Sequence, residues 1–310
     1  MDNLTHSLVG AVLGQAGLKH KTGLAMPALI IGANLPDVDA ACFFWLEGTE
    51  HLGFRRGITH GPPAMVLLPL ILAGLLWAFD RWQEKRGKRP EGRLPVHFGW
   101  LYALSFIGCL SHPALDWLNV YGVRFLEPFS SQWFYGDTLF IIDVWLWALL
   151  IASLWWAARR EEGGGDQRGL ARGAIAVMLA YIGMNWGITQ YGKLQIHYRE
   201  AHTTDAIASP VPFNPFEREY ITVAHAMGFQ SVWIEDELMG DFWLDTCDLE
   251  AARTRDSQLD AFLFWSRAPF AVRADDGSVI LYDARFYDPR ARGRFSVALP
   301  DLKCEELGSD

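Results

Sequence analysis

Three histidines and three aspartates stand near the ends of apolar segments in the first half of the chain. Imidazole and carboxylate groups at the edge of lipid are costly unless they pair, hydrate or bind a cation. As a set they suit zinc or another borderline divalent ion, with manganese or iron as alternatives, and their number would support one or two ions. The chemistry indicated is metal-assisted hydrolysis. The six predicted ligands are His6, Asp37, Asp39, His60, His112 and Asp116.

The spacing within two of these groups favours a shared ion. His112 and Asp116 are four residues apart, so a helix places both side chains on one face. Asp37 and Asp39 bracket a single residue after a proline, where a turn can aim both carboxylates at one pocket. Asp39 and Asp116 are also the candidates for the carboxylate that accepts a proton from water during catalysis. Each pattern has an ordinary alternative, because Asp37 and Asp39 can simply cap a helix.

Two further polar residues are expected to support the ligands. Asp143 lies in a long apolar segment and can be a seventh ligand, an acceptor that orients a ligand histidine, or a helix-packing group; we favour the orienting role. Asn34 precedes Asp37 and is expected as a hydrogen-bond partner of the site, although polar residues near helix ends are often caps.

The apolar segments that must position these residues lie before about residue 190. Three runs approach the length that crosses a hydrocarbon core as a helix and are predicted as membrane spans: 64–79, 139–158 and 170–188. Three shorter runs predict half-buried, re-entrant or bundle-interior helices: 4–18, 24–36 and 98–111. The fold expected for residues 1–190 is a polytopic membrane helical bundle that carries the metal site.

Lysine and arginine in the connecting loops predict the orientation of this bundle. The loops 19–23, 81–93 and 159–172 are the basic ones and should stay on the cytoplasmic side. The connections 37–62 and 112–138 then lie outside. Under this topology all six predicted ligands fall toward the outer ends of their helices, which makes one shared site at the outer face coherent.

Residues 191–310 have the charge density of an ordinary water-soluble domain. The dipeptide Asp276-Gly277 predicts a hairpin turn between strands at 270–275 and 278–283. Helices are expected around 217–228 and 248–260. The fold class predicted for the whole chain is therefore mainly α, with a smaller α+β soluble C-terminal domain that faces the extracytoplasmic side.

Net charge and cysteine usage exclude some partners and leave one question open. The net charge of -9 argues against a nucleic-acid partner, which needs a basic surface. None of the four cysteines has CxxC spacing, so a thiolate metal site is not indicated. Cys247 and Cys304 either pair in an oxidising compartment or remain two separate thiols.

Four stretches, MDNLTHSLVGAVLG, GANLPDVDA, RGITHGP and LSHPALDWLNVYG, occur in the order and approximate spacing of the YdjM-like bacterial inner-membrane proteins. Over about residues 1–150 the chain resembles that family, described as membrane-bound metal-dependent hydrolases, and the FIIDVW and VILYDARF stretches look similar to its longer members. The resemblance implies the same six ligands and a multi-pass protein of the bacterial cytoplasmic (inner) membrane. The family's helical His/Asp arrangement is similar to that of zinc-dependent phospholipase C and P1-type nucleases, which implies phosphoester hydrolysis.

The function expected is hydrolysis of a phosphoester or lipid-linked substrate at the membrane surface. Two other classes remain open. A non-catalytic, metal-stabilised envelope protein or partner-binding module would have a closed coordination shell. A metal transporter would need ionisable residues through the membrane depth, whereas the predicted ligands lie near one face.

Overall fold

The computed structural model describes residues 1–199, 202–287, 295–300 and 302–305. Helices and connecting loops make up the chain to residue 199, and antiparallel strands with two short helices follow. Its helices are α1 (Asn3–Gln15), α2 (Ala25–Gly32), α3 (Glu50–Phe54), α4 (Pro62–Lys85), α5 (Phe98–Asp116), α6 (Val144–Glu162), α7 (Arg168–Arg199), α8 (Leu249–Arg253) and α9 (Ser257–Trp265). Its strands are β1 (Thr203–Pro210), β2 (Arg218–Ala226), β3 (Phe229–Ile234), β4 (Glu237–Leu238), β5 (Pro269–Arg273), β6 (Val279–Asp283) and β7 (Ser296–Leu299).

The chain divides into two compact units. The first comprises residues 1–39 and 56–186, and the second comprises residues 40–55 and 187–310. The predicted boundary at residue 190 stays a prediction. The assignment of 40–55 to the second unit was not expected from the sequence.

In the first unit, α2 packs closely against α5 because both helices present glycine at the contact. A Cβ on Gly108 would lie 2.5 Å from the carbonyl oxygen of Leu29, and one on Gly32 would lie 2.7 Å from that of Ser105. Small residues allow helix backbones to approach this closely. Leu29, together with Leu101 and Leu104 of α5, is fully buried in the resulting core.

Two helices are long and apolar enough to cross a membrane, α4 and α5, within the residues described. A third span is available if α2 and the 3₁₀ segment Leu35–Phe44, bent by 50° relative to each other, form one broken span. The run 98–111, predicted from the sequence as a short segment, is therefore part of a full-length candidate span. The run 64–79 lies inside α4, as predicted.

The other two predicted spans form helices that are long enough, but neither is sufficiently apolar and free of charge along its length to be a candidate span. In α6 the helix begins at Val144, so only residues 144–158 precede the charged end that starts at Arg159. In α7 the apolar run is interrupted by arginine, glycine and asparagine along its length. The sequence prediction that 139–158 and 170–188 are among the clearest spans is thus not supported.

The second unit contains a four-stranded antiparallel sheet, β1-β2-β3-β4, and a three-stranded one, β5-β6-β7. The predicted hairpin is confirmed: β5 pairs with β6 in the register Pro269 to Asp283, and Gly277 takes φ +84° in the turn. The predicted helix around 217–228 is wrong, because this segment is strand β2. Its β-branched run Ile221 to Val223 pairs with β1 on one side and β3 on the other.

The predicted helix around 248–260 is present as two pieces. The first, α8, ends before Asp256, whose side chain caps the N-terminus of α9.

Cys247 and Cys304 form a disulfide bond, so the pairing alternative is the correct one. A cross-link of this kind stabilises mainly by restricting the unfolded chain.

A buried ion pair anchors the end of β6. Asp283 is fully buried, and its carboxylate accepts hydrogen bonds from Arg285 Nε at 2.7 Å, Arg285 Nη2 at 2.9 Å and Ser266 Oγ at 2.6 Å. Burial alone would raise the pKa of Asp283, but the charge and hydrogen bonds of Arg285 outweigh it and hold the pKa at about 2. The carboxylate therefore remains ionised in the folded protein at neutral pH.

We expect Asp283→Asn to destabilise the second unit by about 3–5 kcal/mol, because it leaves the buried guanidinium of Arg285 without its counter-charge. Because the pKa of Asp283 is depressed, the stability it contributes is present above the ordinary pKa of 3.8 and is lost as the pH falls from about 4 to 2. Thermal unfolding of the full chain followed by limited proteolysis between pH 2 and 7 measures both effects. Asp275→Asn, at an exposed position of the hairpin turn, is the control and should change stability by less than about 0.5 kcal/mol. Equal stability of D283N and wild type at pH 7 would contradict the assignment.

Candidate metal centre

Four of the six predicted ligands form one cluster in the first unit. One ligand atom from each of Asp37, His60, His112 and Asp116 lies within 4.8 Å of the others. Asp116 is at the centre, because His60 Nε2 and His112 Nε2 each lie 3.5 Å from its Oδ2. Asp37 Oδ1 lies 3.7 Å from His112 Nε2.

Two antiparallel helices bring these residues together. His112 and Asp116 lie on the last turns of α5, and His60 lies just before α4 begins. The end of α5 therefore meets the start of α4, and the cluster sits at the end of this helix pair opposite the basic segment that joins them.

A backbone carbonyl fixes the orientation of His112. Its Nδ1 lies 2.7 Å from the carbonyl oxygen of Ala33, so we assign the proton to Nδ1, which donates to this oxygen. The Nε2 lone pair then faces the cluster, as in histidines that bind metal through one ring nitrogen and donate with the other. The close packing of Gly32 and Gly108 places the Ala33 carbonyl within this reach.

Asp39 lies beside the cluster rather than in it and contacts His60 on the Nδ1 side of the ring. Its Oδ2 is 3.7 Å from His60 Nδ1 and accepts hydrogen bonds from the backbone N–H of Arg56 at 2.8 Å and from Thr59 Oγ1 at 3.1 Å. The His60 Nδ1 is also 3.0 Å from Thr59 Oγ1. These contacts hold the ring so that Nε2 points to Asp116. The predicted roles of Asp39 as a ligand and as a proton acceptor stay predictions.

His6 approaches the opposite oxygen of Asp116. Its Nε2 lies 3.3 Å from Oδ1, and its ring stacks on that of His112 with centroids 3.8 Å apart. Burial lowers the pKa of His6 to about 4 and also lowers the pKa of His60. Both imidazoles are therefore neutral at pH 7, which is the form that binds metals.

Arg56 is the site residue that sequence reasoning missed. It is buried, and its Nε lies 3.0 Å from Asp116 Oδ2. The amino group of Met1 contacts Oδ1 of the same carboxylate. In the sequence, Arg56 was only one of two basic residues in an outer loop, and nothing in its spacing pointed to the ligands.

The two supporting residues predicted from the sequence make other contacts. Asn34 Nδ2 donates to Ser7 Oγ and to the carbonyl oxygen of Ile30. Asp143 caps α6 by accepting from the backbone N–H of Leu146 and also accepts from the hydroxyl of Tyr181. These side-chain hydrogen bonds link and cap helices, so the packing alternative describes Asp143 better than the orienting role. Asn34 also contacts the cluster through its backbone, because its carbonyl oxygen accepts from the backbone N–H of Asp37 at 3.2 Å.

The donor set fits a divalent metal ion. The Nε2 atoms of His6, His60 and His112 are all buried and have no hydrogen-bond partner among the described residues. For His112 the contact is between an Nε2 lone pair and a carboxylate oxygen, two acceptors that repel unless a cation or proton lies between them. Buried polar groups are normally satisfied, and a divalent cation among these nitrogens and the carboxylate would give them a shared partner.

We expect His112→Ala to remove most of the bound metal from the purified protein, because it deletes one of the converging nitrogens. Elemental analysis by mass spectrometry should find about one or two equivalents of zinc in wild type and a loss of affinity of at least about 100-fold in H112A. His97→Ala is a matched control, since His97 is exposed at the other end of the same helix α5. Retention of wild-type metal content by H112A would contradict the site.

Comparisons with known proteins agree with the location of this cluster. The model of the YdjM inner membrane protein family matches residues 1–192, which include every residue of the cluster. The uncharacterized protein YfhP of Bacillus subtilis (strain 168) is 26% identical over 167 residues, which are 51% of this chain and 47% of that relative. The chain thus aligns with about half the length of this curated relative, and no solved structure matches it. Because the family match covers more than half of the sequence, the chain belongs to the YdjM inner membrane protein family.

Proposed function

We propose that this protein is a membrane-embedded, metal-dependent hydrolase that acts on a phosphoester or lipid-linked substrate at the outer face of the membrane. The observation that carries the proposal is the convergence of buried, unsatisfied imidazole nitrogens on the carboxylate of Asp116. Metal-dependent hydrolases use such a set of nitrogen and oxygen ligands to hold an ion beside the scissile bond.

The chain's residues divide the work as follows. Asp37, His60, His112 and Asp116 hold the ion, with zinc as the expected metal and manganese or iron as alternatives. Asp39 keeps His60 oriented through the contacts at its Nδ1. A divalent ion held there would lower the pKa of a coordinated water and polarise the scissile phosphoryl or acyl group.

The position of His6 supports two ions rather than one. His6 lies on the Oδ1 side of Asp116, whereas His60 and His112 lie on the Oδ2 side. His6 and the Oδ1 oxygen of Asp116 could therefore hold a second ion, which would share with the first the work of polarising the scissile group. This arrangement leaves Asp116 as a ligand and makes it a less suitable proton acceptor than the sequence alone suggested.

The membrane setting supports a lipid or lipid-linked substrate. The cluster lies where α5 ends and α4 begins, and these two helices are candidate spans in a chain that belongs to an inner-membrane family. The segment between α4 and α5 carries Lys88, Arg89 and Arg93, so this end of both helices is expected in the cytoplasm. The cluster is then at the outer face, where lipid headgroups are accessible.

A second candidate function is a non-catalytic, metal-stabilised membrane protein. The observation that favours it is burial, because His60, His112 and Asp116 are at most 1% exposed. A closed shell of four protein ligands is typical of structural zinc sites.

We expect the zinc-loaded full-length protein to hydrolyse at least one of three substrate types: phospholipids, lipid-linked phosphates or a generic phosphodiester such as bis(p-nitrophenyl) phosphate. Activity should fall by at least about 100-fold in H112A and after chelation, and should remain in H97A. Activity is measured as released product, on samples whose metal content is known. Stoichiometric metal without hydrolysis of any of these substrates would favour the structural candidate.

We also expect the second unit to lie on the extracytoplasmic side, where its disulfide bond can form. Protein from cells that are alkylated before lysis should contain Cys247 and Cys304 in the oxidised form, as peptide mass spectrometry with and without reduction will show. Cys42 and Cys109, which take part in no disulfide bond between described residues, are internal controls and should be found reduced. Recovery of alkylated Cys247 and Cys304 would place this unit in the cytoplasm.

A further inference from the structure

Arg56 places its side chain beside the metal cluster from a backbone conformation that is unfavourable for arginine. The residue is 6% exposed, and its φ of +54° lies in the left-handed region that is unusual for residues other than glycine, asparagine and aspartate. Such a conformation costs on the order of 1 kcal/mol and persists where surrounding contacts or function require it.

The hydrogen bonds of Arg56 hold only one side of its guanidinium group. Nη1 donates to Asn119 Oδ1 at 3.0 Å and to the carbonyl oxygen of Gly122 at 3.3 Å. The ring of Tyr121 lies against the guanidinium, 4.5 Å from its carbon to the ring centroid. Together these contacts fix both the position and the plane of the group.

The opposite edge, formed by Nε and Nη2, makes no hydrogen bond to any described residue. Nε is 3.0 Å from Asp116 Oδ2 as an ion pair, but that oxygen has no hydrogen-bond partner, so the contact is not aligned as a hydrogen bond. In a planar guanidinium, Nε and Nη2 carry parallel N–H bonds that match two oxygens of a carboxylate or phosphate. This edge is therefore charged, held in place and turned toward a residue of the metal cluster.

Asn119, which accepts a hydrogen bond from Arg56, also carries an unsatisfied donor. Its Oδ1 accepts from Arg56 Nη1 and from the backbone N–H of Tyr121 at 2.8 Å, which fixes the orientation of the amide. Its Nδ2 is buried and has no hydrogen-bond partner among the described residues. Buried donors without partners are rare in folded proteins and call for an acceptor.

We propose that Arg56 and Asn119 form an anion-binding subsite for a phosphoryl group of the substrate, next to the metal cluster. The proposal rests on the proposed function and narrows its substrate class to phosphoesters. Arginine remains charged at all accessible pH values and binds phosphate through two parallel hydrogen bonds. A cation held by Asp116 would take over part of the charge compensation that Arg56 now provides, which leaves the Nε–Nη2 edge available to an anion.

A purely structural role for Arg56, as the counter-ion of Asp116, makes a different prediction. A structural counter-ion needs positive charge near Oδ2, which lysine also supplies. An anion subsite needs the two parallel donors, which lysine lacks. The variant Arg56→Lys therefore separates the two roles without leaving Asp116 buried and unpaired.

The experiment is calorimetric titration of the full-length, zinc-loaded protein in detergent with inorganic phosphate. Wild type should bind phosphate, R56K should bind it at least about tenfold more weakly, and the zinc content and unfolding temperature of R56K should match wild type. Asn119→Ala should also weaken binding. Arg55→Lys is the matched control, since it changes the neighbouring arginine, and should bind phosphate as wild type does.

A second arm separates free phosphate from a lipid headgroup. Binding to nanodiscs of phosphatidylcholine with and without phosphatidic acid is compared for wild type and R56K. A preference for phosphatidic acid that R56K loses identifies a lipid phosphate, whereas an effect on inorganic phosphate alone identifies a soluble one.

Three outcomes are decisive. Equal phosphate affinity of R56K and wild type, or no phosphate binding by wild type in either arm, would overturn the subsite. Absence of bound metal in wild type would instead contradict the proposed function. Phosphate titration of the metal-free wild type and R56K would then still test whether Arg56 binds an anion.

Discussion

The buried carboxylate of Asp116 is the constraint on which the site depends. It is fully buried, and the groups around it are His6, His60, His112, Arg56 and the amino group of Met1. Removing a carboxylate from water costs several kcal/mol unless positive charge and hydrogen bonds replace its hydration. The two positive groups provide part of that replacement. The three imidazoles do not, because their Nε2 atoms face the carboxylate without a hydrogen bond. A cation held between them would give the carboxylate and the imidazole nitrogens a shared partner.

The helix packing explains how a membrane protein places such groups so closely. Glycines at the α2–α5 contact let the two backbones approach, and the Ala33 carbonyl at the end of α2 thereby reaches His112. The same carbonyl sets the tautomer of the ring and so determines which nitrogen faces Asp116. Packing by small residues is common between helices in lipid, where apolar side chains gain little from association. Here this packing positions a ligand as well as stabilising the fold.

The ligand residues could be predicted from the sequence because ionisable groups are rare at the ends of apolar segments. That argument needed no knowledge of distances and named six residues, of which Asp37, His60, His112 and Asp116 form the cluster while His6 and Asp39 lie beside it. Arg56 was missed because its importance follows from contacts to residues far along the chain, chiefly Asn119 and Asp116.

Whether a segment forms a helix, a strand or a membrane span was harder to predict than which residues are candidate ligands. The hairpin at Gly277 has a local signal, since its turn requires a positive φ, and it was predicted correctly. Strand β2 has no such signal, and its pairing with β1 and β3 decides its conformation. The ranking of membrane spans failed for a similar reason, because helix α6 begins later than its apolar run and ends in charged residues. The pairing of Cys247 with Cys304 depends on the fold that brings them together and could be posed from the sequence only as an alternative.

Whether the centre is catalytic or structural depends on whether the candidate ligands hold one ion or two. If one ion takes Asp37, His60, His112 and Asp116, its tetrahedral shell is complete and no position is left for water. If the Oδ1 side of Asp116 were to hold a second ion, His6 would be the histidine beside it, and most coordination positions of that ion would be open to water or substrate. The second arrangement accounts for the unsatisfied Nε2 of His6, which a single closed shell leaves without a partner among the described residues. His6, which a closed four-ligand zinc site would not need, is therefore the residue whose role separates the two arrangements.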